Sequence, residues 1–193
     1  MPHRQCPSLG LTCGMKITAG DRRAAHEEVR AMGYDLQVQA VSAAESEKGA
    51  EHLSAFMTER WHAYQDHASD IRFTISKSFI QLDELYRTAS HLAAGDAAGL
   101  PMGGGQPVLP FGDPVMTLME PGDVRRAAEF LAAHTFEELW EAGGAALAAA
   151  SGNGTDPALS CFRKDLADGD ADARAFYAQA AAAGLGAVSA AWY

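Results

Sequence analysis

The sequence predicts an α+β fold, in the form of a mainly helical single domain with a small mixed sheet. Alanine, the strongest helix former, makes up about a fifth of the 193 residues. The larger apolar residues recur every three or four positions over most of the chain, as they do along the buried face of a helix. A few short segments instead alternate apolar and polar residues, which is the spacing of a half-buried strand. These observations together indicate closely packed helices around a short sheet.

The first 31 residues differ in composition from the rest of the chain. They are rich in Pro, Gly and Arg and carry more basic than acidic side chains, whereas residues 32–193 carry a large acidic excess. We interpret residues 1–31 as an N-terminal extension with little fixed structure and residues 32–193 as the domain, which begins near Met32-Gly33-Tyr34. The alternative is an ordinary first helix that starts with Asp21 as its N-cap and packs on the core.

The domain is predicted to open with a strand and a helix. Residues 34–41 alternate apolar and polar side chains, so this segment should form a half-buried strand. Ser42 and Glu45 have the spacing of a capping box, in which each side chain bonds to the backbone amide of the other residue. We therefore expect a helix that begins after Ser42 and continues towards Tyr64.

The middle of the chain is predicted to contain a strand, a helix and a long loop. Alternation across residues 71–75 indicates a short strand, and residues 76–93 form the clearest amphipathic helical stretch. Residues 95–114 are rich in Pro and Gly, which predicts a loop, and a loop of this length is often functional. Gly103-Gly104-Gly105 lacks the Lys-Ser/Thr of a phosphate-binding loop, so we expect it to be a flexible tip.

The next segment is predicted to pass from a strand into two helices. Residues 115–119 have the pattern of a short strand, and Pro121 suits the first turn of a helix because that position needs no amide hydrogen. Thr135 and Glu138 form a second capping box, which predicts the start of another helix. That helix should end at residues 151–154, where two glycines interrupt the apolar pattern.

Two further helices and a strand are expected near the C-terminus. Asp156 and Pro157 together indicate a helix start, as an N-cap and a first-turn proline. A second helix is expected over residues 171–183 and should end at Gly184. Residues 187–193 are apolar enough to form a final strand.

An acidic segment lies between these two expected helices, with aspartates at positions 165, 168, 170 and 172 around Gly169. It resembles a calcium-binding loop only superficially. If Gly169 occupied the turn position of such a loop, Lys164 and Leu166 would occupy the first and third ligand positions, where oxygen ligands are needed. We interpret the segment as a solvated acidic kink between helices.

Charge and composition exclude several classes of function. The formal net charge is −10 and the pI is about 5.0, which argues against nucleic-acid binding because phosphate contacts need a basic face. No run of about 18 apolar residues is present, so no membrane span is predicted. Three cysteines suit a reducing compartment better than a disulfide framework, and no secretory signal is visible, so we expect a cytoplasmic protein.

No motif in the chain specifies a catalytic centre, a metal site or a cofactor. His62 and Asp66 are four residues apart on a predicted helix and would act as an acid–base pair only within a cleft; an ordinary surface pair is the alternative. We therefore assign no catalytic residue, no metal ligand and no cofactor, and the sequence does not predict an oligomeric state.

Three stretches of the domain resemble the YfbM-like family, a bacterial family of unknown function. They are residues 75–82, similar to an amphipathic helix of that family, residues 118–124, similar to a strand followed by a helix start, and residues 174–181, similar to its closing helix. Met32-Gly33-Tyr34 also looks like the N-terminus of a family member. The resemblance covers residues 32–193 and implies a small α+β domain with several helices around a short sheet. It implies no activity, so it supplies no site residues.

The favoured functional hypothesis is a non-catalytic binding or interaction protein. The chain carries a net negative charge and no catalytic motif. An acidic surface of this kind could cover a basic protein partner, as the surfaces of toxin-neutralising immunity proteins do, and charge complementarity would speed that association.

The alternative hypothesis is a small-molecule-binding protein or enzyme with its site under residues 95–114. Lys77, Asp83, Tyr86 and Tyr177 are the candidate ligand-binding residues. Three of them also have a structural explanation. Both tyrosines lie on apolar stripes and would then belong to the core, and Lys77 would be a solvated residue of the first helical turn.

Overall fold

The computed structural model describes residues 35–63, 70–88, 97–109, 114–155 and 157–192. Residues 1–31, where we expected an N-terminal extension, lie outside these ranges. Within them the chain forms one sheet with helices on both faces. This arrangement confirms the predicted α+β, mainly helical fold class.

The sheet is antiparallel rather than mixed. Its strands are β1 (Asp35–Val41), β2 (Arg72–Ser76), β3 (Gln106–Pro107), β4 (Val115–Met119) and β5 (Gly186–Trp192). They lie in the order β2–β1–β5–β4–β3, and every pairing is antiparallel. Because β5 runs antiparallel to both of its neighbours, β1 and β4 point the same way without pairing. The last strand of the chain is thus the central strand of the sheet.

The alternation predicted for β1 is present, but both of its faces are buried. Leu36 and Val38 belong to the larger apolar cluster on one face of the sheet. Gln37 and Gln39 lie on the opposite face and are only 0% and 2% exposed, and Val41 joins a second apolar cluster there. The amides that suggested a solvated face are therefore covered.

The single helix expected after β1 is divided into two. The first, α1 (Ala43–Ser46), is capped by Ser42, whose Oγ accepts a hydrogen bond from the backbone amide of Glu45 at 3.2 Å. The second, α2 (Ala50–His62), begins after Gly49, whose φ of 86° is rarely adopted by a residue with a side chain. This helix packs Leu53 and Met57 onto the second face of the sheet.

The helices that follow β2 lie on the first face of the sheet, where the helix after β4 and the helix before β5 contact the strands and the other helices pack on helices. The helices that follow β2 are α3 (Phe79–Thr88), α4 (Leu100–Gly103), α5 (Pro121–Ala133), α6 (Phe136–Ala150) and α7 (Ala158–Ala182). As predicted, Pro121 lies in the first turn of α5, and Thr135 and Glu138 form the capping box of α6. Gly184 follows α7 with a φ of 67°, which confirms it as the end of that helix. None of the described helices is long and apolar enough to cross a membrane.

A single helix, α7, occupies the region where two helices and an acidic kink were expected. It passes through Gly169 without interruption. A Cβ atom at Gly169 would lie 2.5 Å from Ile75 Cδ1, so the glycine allows α7 to approach β2 closely. This tertiary contact outweighs the low helix propensity of glycine, and the expected kink is wrong.

The segment expected to be a long loop contains regular structure in its described part. Residues 97–99 form a 3-10 turn, and α4 and β3 follow. A Cβ atom at Gly105 would lie 2.6 Å from the Leu118 carbonyl oxygen, and one at Gly104 would lie 2.6 Å from that of Leu100. The glycines therefore permit close backbone contact instead of forming a tip.

Candidate functional site

A groove between the outer edge of β2 and the exposed face of α7 carries the strongest candidate site. It encloses about 560 Å³. We call it the α7–β2 groove. Its lining residues come from β2 and the turn after it, from α3, from the segment before α7 and from α7 itself: Thr74, Ile75, Ser76, Lys77, Ser78, Gln81, Asn153, Phe162, Asp165, Asp168, Gly169 and Asp172.

The wall formed by β2 is a free strand edge. Hydrogen bonds in an antiparallel pair involve every second residue of each strand. The backbone amide of Ala40 donates to the Ile71 carbonyl at 3.0 Å, so Ile71 and every second residue after it direct their backbone groups towards β1. Thr74 and Ser76 therefore direct their N–H and C=O groups away from β1. No strand of the described residues pairs with this edge, so it offers backbone groups to a partner strand.

The opposite wall carries three carboxylates. Asp165, Asp168 and Asp172 are three and four residues apart, which places them on one face of α7, and all three are exposed. Lys164 forms an ion pair with Asp168, whereas no described cation pairs with Asp165 or Asp172. Their negative charge acts over about 10 Å at moderate salt, so it reaches a ligand on the β2 edge.

Lys77 lies where β2 ends and has a strained backbone. Its φ is 60°, and the Ser78 amide donates to the Ser76 carbonyl at 2.6 Å, which closes a three-residue turn around it. A residue with a side chain pays about 1–2 kcal/mol for this conformation. Strained residues of this kind occur most often at functional sites.

Two polar atoms of the groove are buried without a hydrogen-bond partner. They are Thr74 Oγ1 and Gln81 Oε1. An unpaired buried polar atom costs about 1–3 kcal/mol, and a ligand that donated hydrogen bonds would remove that cost. Together with the three carboxylates, these atoms make the groove rich in acceptors. The complementary ligand carries positive charge and N–H donors.

The structure does not bring the four candidate ligand-binding residues into one site. Lys77 lines the α7–β2 groove. Asp83 lies on α3, where its Oδ2 accepts a hydrogen bond from Arg87 Nε at 2.6 Å. Tyr86 and Tyr177 are buried in the core. The hypothesis of a ligand site under residues 95–114 stays a prediction, because part of that segment lies outside the described residues.

The two tyrosines make hydrogen bonds inside the core. Tyr177 Oη donates to the Pro101 carbonyl of α4 at 2.7 Å, so α4 packs directly on α7 at this point. Tyr86 Oη donates to Asp170 Oδ1 at 2.9 Å, and Arg174 binds the same carboxylate. Burial, followed by the negative charge of Asp170, raises the pKa of Tyr86 well above its usual range. Because Asp170 is 2% exposed, this network belongs to the core.

Sequence reasoning did not group the residues of the groove. The aspartates at 165, 168 and 172 have helical spacing, but they share a face only if α7 is continuous, and we expected a kink there. The edge position of β2 depends on strand order, for which the sequence holds no local signal. His62 is exposed on α2, and its expected partner Asp66 lies outside the described residues. In the described ranges, no three His, Cys, Asp or Glu side chains are placed to bind a metal ion.

Comparison with known proteins supports the fold. The structure is similar to the crystal structure of YfbM from Escherichia coli, a protein of unknown function, with a TM-score of 0.52. The match covers 81% of this chain and 99% of that one, at 11% sequence identity. At this identity the likeness establishes a YfbM-like fold alone. No protein-family model and no curated protein matches the sequence.

Proposed function

We propose that this chain is a divergent relative of the YfbM-like proteins that acts without catalysis, by binding a basic, extended segment of a partner protein in the α7–β2 groove. The partner segment adds a strand to β2 and places basic side chains on the aspartates of α7. The observation that carries this proposal is the free edge of β2 opposite Asp165, Asp168 and Asp172. A basic toxin neutralised by this chain would be one such partner.

Strand addition would use both walls of the groove, the backbone groups of β2 and the carboxylates of α7. Backbone hydrogen bonds to the outward N–H and C=O of Thr74 and to the outward N–H of Ser76 supply affinity, because the Ser76 carbonyl already accepts from Ser78. Side chains of the added strand supply specificity. Alternate side chains of a strand point to the same face, so a basic residue at every second position meets the carboxylates of α7. Lys77 repels a basic residue at the end of β2 and selects a neutral or acidic one there.

The net charge of the chain favours a basic partner over self-association. The formal charge is −10, so two copies that paired through their β2 edges would bring two rows of aspartates together. Like charges placed in this way oppose association, whereas a basic segment is attracted before contact is made.

A short synthetic peptide tests this proposal directly. The probe is a fluorescent heptapeptide that alternates lysine with threonine and is capped at both ends, and its binding is followed by fluorescence anisotropy. We expect saturable binding that weakens as salt is added, because salt screens exposed charges. Two control peptides should not bind: one with glutamate in place of lysine, and one with N-methyl groups on alternate amides. Equal binding of the N-methylated peptide would contradict strand addition.

Protein variants distinguish binding in the α7–β2 groove from a general effect of the net charge. The combined change Asp165→Asn, Asp168→Asn and Asp172→Asn should weaken peptide binding about tenfold, because each exposed ion pair contributes roughly 0.5 kcal/mol. The matched control combines Glu47→Gln, Glu129→Gln and Glu141→Gln, which removes the same charge from exposed positions outside the groove. If both triple variants lost the same affinity, the α7–β2 groove would not be the binding site.

A proline at the strand edge tests the backbone contacts. Thr74→Pro removes an outward N–H without breaking the pairing with β1, and proline is tolerated in edge strands for this reason. We expect an unchanged circular dichroism spectrum and loss of peptide binding. Thr74→Ser keeps both the amide and the hydroxyl and should bind as the unaltered protein does. Full binding by a folded Thr74→Pro protein would exclude strand addition at β2.

A further inference from the structure

A second groove lies where β1 ends beside α2. It encloses about 440 Å³, which falls within the roughly 300–1,000 Å³ usual for small-ligand sites. Its walls include Gln39 at the end of β1, one side of α2 with His52, Phe56 and Arg60, and Asp70 before β2. We call it the β1–α2 groove. It shares no lining residue with the α7–β2 groove, so its function is independent of the proposed one.

Gln39 brings an unpaired acceptor to this groove. The residue is 2% exposed. Its Nε2 lies 3.4 Å from the Ile71 carbonyl oxygen and 3.5 Å from Asp70 Oδ2. Both neighbours are acceptors, which assigns the amide nitrogen to that side. The Oε1 atom is buried without a partner, and a buried carbonyl oxygen of this kind is stabilised by a ligand that donates a hydrogen bond.

Charges of both signs surround Gln39. Glu45 contacts Lys48 Nζ at 2.6 Å and His52 Nε2 at 2.5 Å. Hydrogen bonds from Lys48 and then from His52 hold the pKa of the Glu45 carboxyl below its usual value, so this carboxylate is charged at neutral pH. Arg60 Nε contacts Asp70 Oδ2 at 3.1 Å.

The aromatic ring of Phe56 orients the cation at this end of the groove. The Arg60 guanidinium lies over the ring at 3.7 Å from its centroid, a distance typical of a cation–π contact. The Arg60 side chain is 19% exposed, and its Nη1 also lies 3.8 Å from Glu59 Oε2. The groove therefore presents a positioned cation close to a carboxylate and to the unpaired acceptor of Gln39.

We propose that the β1–α2 groove binds a free α-amino acid. The α-ammonium group donates a hydrogen bond to Gln39 Oε1, next to the Asp70 carboxylate. The α-carboxylate binds the Arg60 guanidinium and Lys48. The lining of the groove carries three carboxylates, Glu45, Glu59 and Asp70, and two permanent cations, Lys48 and Arg60. A zwitterion matches both signs of charge.

The twenty proteinogenic amino acids, tested one at a time, are the probes. Saturation-transfer NMR identifies binders and isothermal titration calorimetry measures their dissociation constants. We expect at least one amino acid to bind with a Kd below about 1 mM. The carboxylic acid that lacks the amine, and the amine that lacks the carboxylate, should each bind at least about tenfold more weakly. The proposal is overturned if none of the twenty binds, or if the deaminated acid binds as tightly.

Two adjacent glutamines provide a matched pair of variants. Gln39→Leu removes the unpaired Oε1 together with the two long hydrogen bonds of Nε2. Because leucine is apolar and of similar size, the fold should be retained and binding should fall at least about tenfold. Gln37→Leu is the control, because Gln37 is equally buried on the same strand face but does not line the groove. It is a strict control, since it also removes the hydrogen bond that Gln37 Oε1 accepts from Trp192 Nε1 at 3.1 Å. Both variants should bind the lysine–threonine peptide unchanged. Full amino-acid binding by a folded Gln39→Leu protein would overturn the proposal.

A variant at an exposed position keeps the test decisive if Gln39→Leu does not fold. The Lys48 side chain is 48% exposed, so Lys48→Ala should leave the core unaffected. This change should weaken binding of the amino acid but not of its decarboxylated amine, because only the former has a carboxylate for Lys48. Equal weakening of both ligands would contradict the assigned orientation.

Discussion

Lys77 shows how the fold imposes strain on a single residue of the α7–β2 groove. It is the one non-glycine residue in the described ranges that has a positive φ. On one side the Ser78 amide bonds back to Ser76, and on the other the Ser78 carbonyl accepts from Leu82 as α3 begins. The conformation of Lys77 is thus determined by the junction of β2 and α3 and does not depend on the lysine side chain.

Lys77→Gly is therefore expected to stabilise the protein relative to Lys77→Ala. Alanine retains the strain of about 1–2 kcal/mol, and glycine removes it but loses roughly 0.5–1 kcal/mol through the greater freedom of its unfolded chain. The glycine variant should have the larger free energy of unfolding in urea, by about 0.5–1 kcal/mol. Both variants lack the ammonium group, so the comparison isolates the backbone. A glycine variant that was less stable than the alanine variant by about 0.5–1 kcal/mol would show that the turn carries no strain.

Gln37 and Gln39 mark the limit of residue-level prediction. Their alternation with Leu36 and Val38 correctly predicts a strand, because side-chain direction in a strand depends only on position. The same pattern wrongly suggests a solvated face. Both glutamines are buried because α2 packs on that face, and a contact between distant segments has no local signal.

A buried polar network joins three helices at the scale of elements. Tyr86 of α3 donates to Asp170 of α7, and Arg174, one turn further along α7, binds the same carboxylate. Arg174 also donates from Nη1 to the Leu131 carbonyl in the last turn of α5. Carbonyl groups at a helix end lack partners within the helix, so Arg174 satisfies one of them while it pairs with Asp170.

The Tyr86 hydroxyl should make stability fall at high pH. Its pKa is raised in the folded protein by burial and by Asp170, so the folded protein keeps a proton that the unfolded chain loses above pH of about 10. The stability that the folded protein gains from this bound proton is fully present below that pH and is lost as the pH rises beyond it. The stability of the unaltered protein minus that of Tyr86→Phe should decrease by up to about 1.4 kcal/mol per pH unit. Urea unfolding between pH 9 and pH 11 measures this difference.

Tyr177→Phe provides a second measurement in the same pH range. Burial alone raises the pKa of Tyr177, so this variant should also reduce the fall in stability at high pH, without the contribution from Asp170. If Tyr86→Phe and the unaltered protein showed the same dependence on pH, the Tyr86 hydroxyl would not be buried beside a carboxylate.

The helix starts that were predicted correctly have local causes. The capping box of Thr135 and Glu138 and the first-turn position of Pro121 involve neighbours within four residues. By contrast, Gly49 precedes the second of two helices where one was expected, while Gly169 lies inside a helix. Gly49 has a positive φ, and Gly169 contacts Ile75 of β2 across the core. Only tertiary structure distinguishes these two glycines.

At the scale of the whole molecule, the fold class was predictable and the candidate site was not. Alanine content and apolar spacing were sufficient for a mainly helical α+β protein, since both reflect propensity and pattern. The α7–β2 groove instead depends on the final strand β5 inserting between β1 and β4, which leaves β2 at the edge. It also depends on α7 lying beside that edge. Both features depend on contacts between distant segments, which composition and local pattern do not determine.

Removal of residues 1–31 is expected to leave the domain stable. If residues 1–31 are an extension outside the domain, the truncated chain should unfold within about 2 °C of the full chain. Under the alternative of a first core helix, deletion would remove Val29 and the helix that packs Met32 on the core, so the roughly 4 kcal/mol that burial of these two side chains contributes would be lost. At roughly 2–4 °C per kcal/mol for a chain of this size, the melting temperature would then fall by about 10 °C. Differential scanning calorimetry of both chains, with binding of the lysine–threonine peptide as a check on the fold, decides between the two.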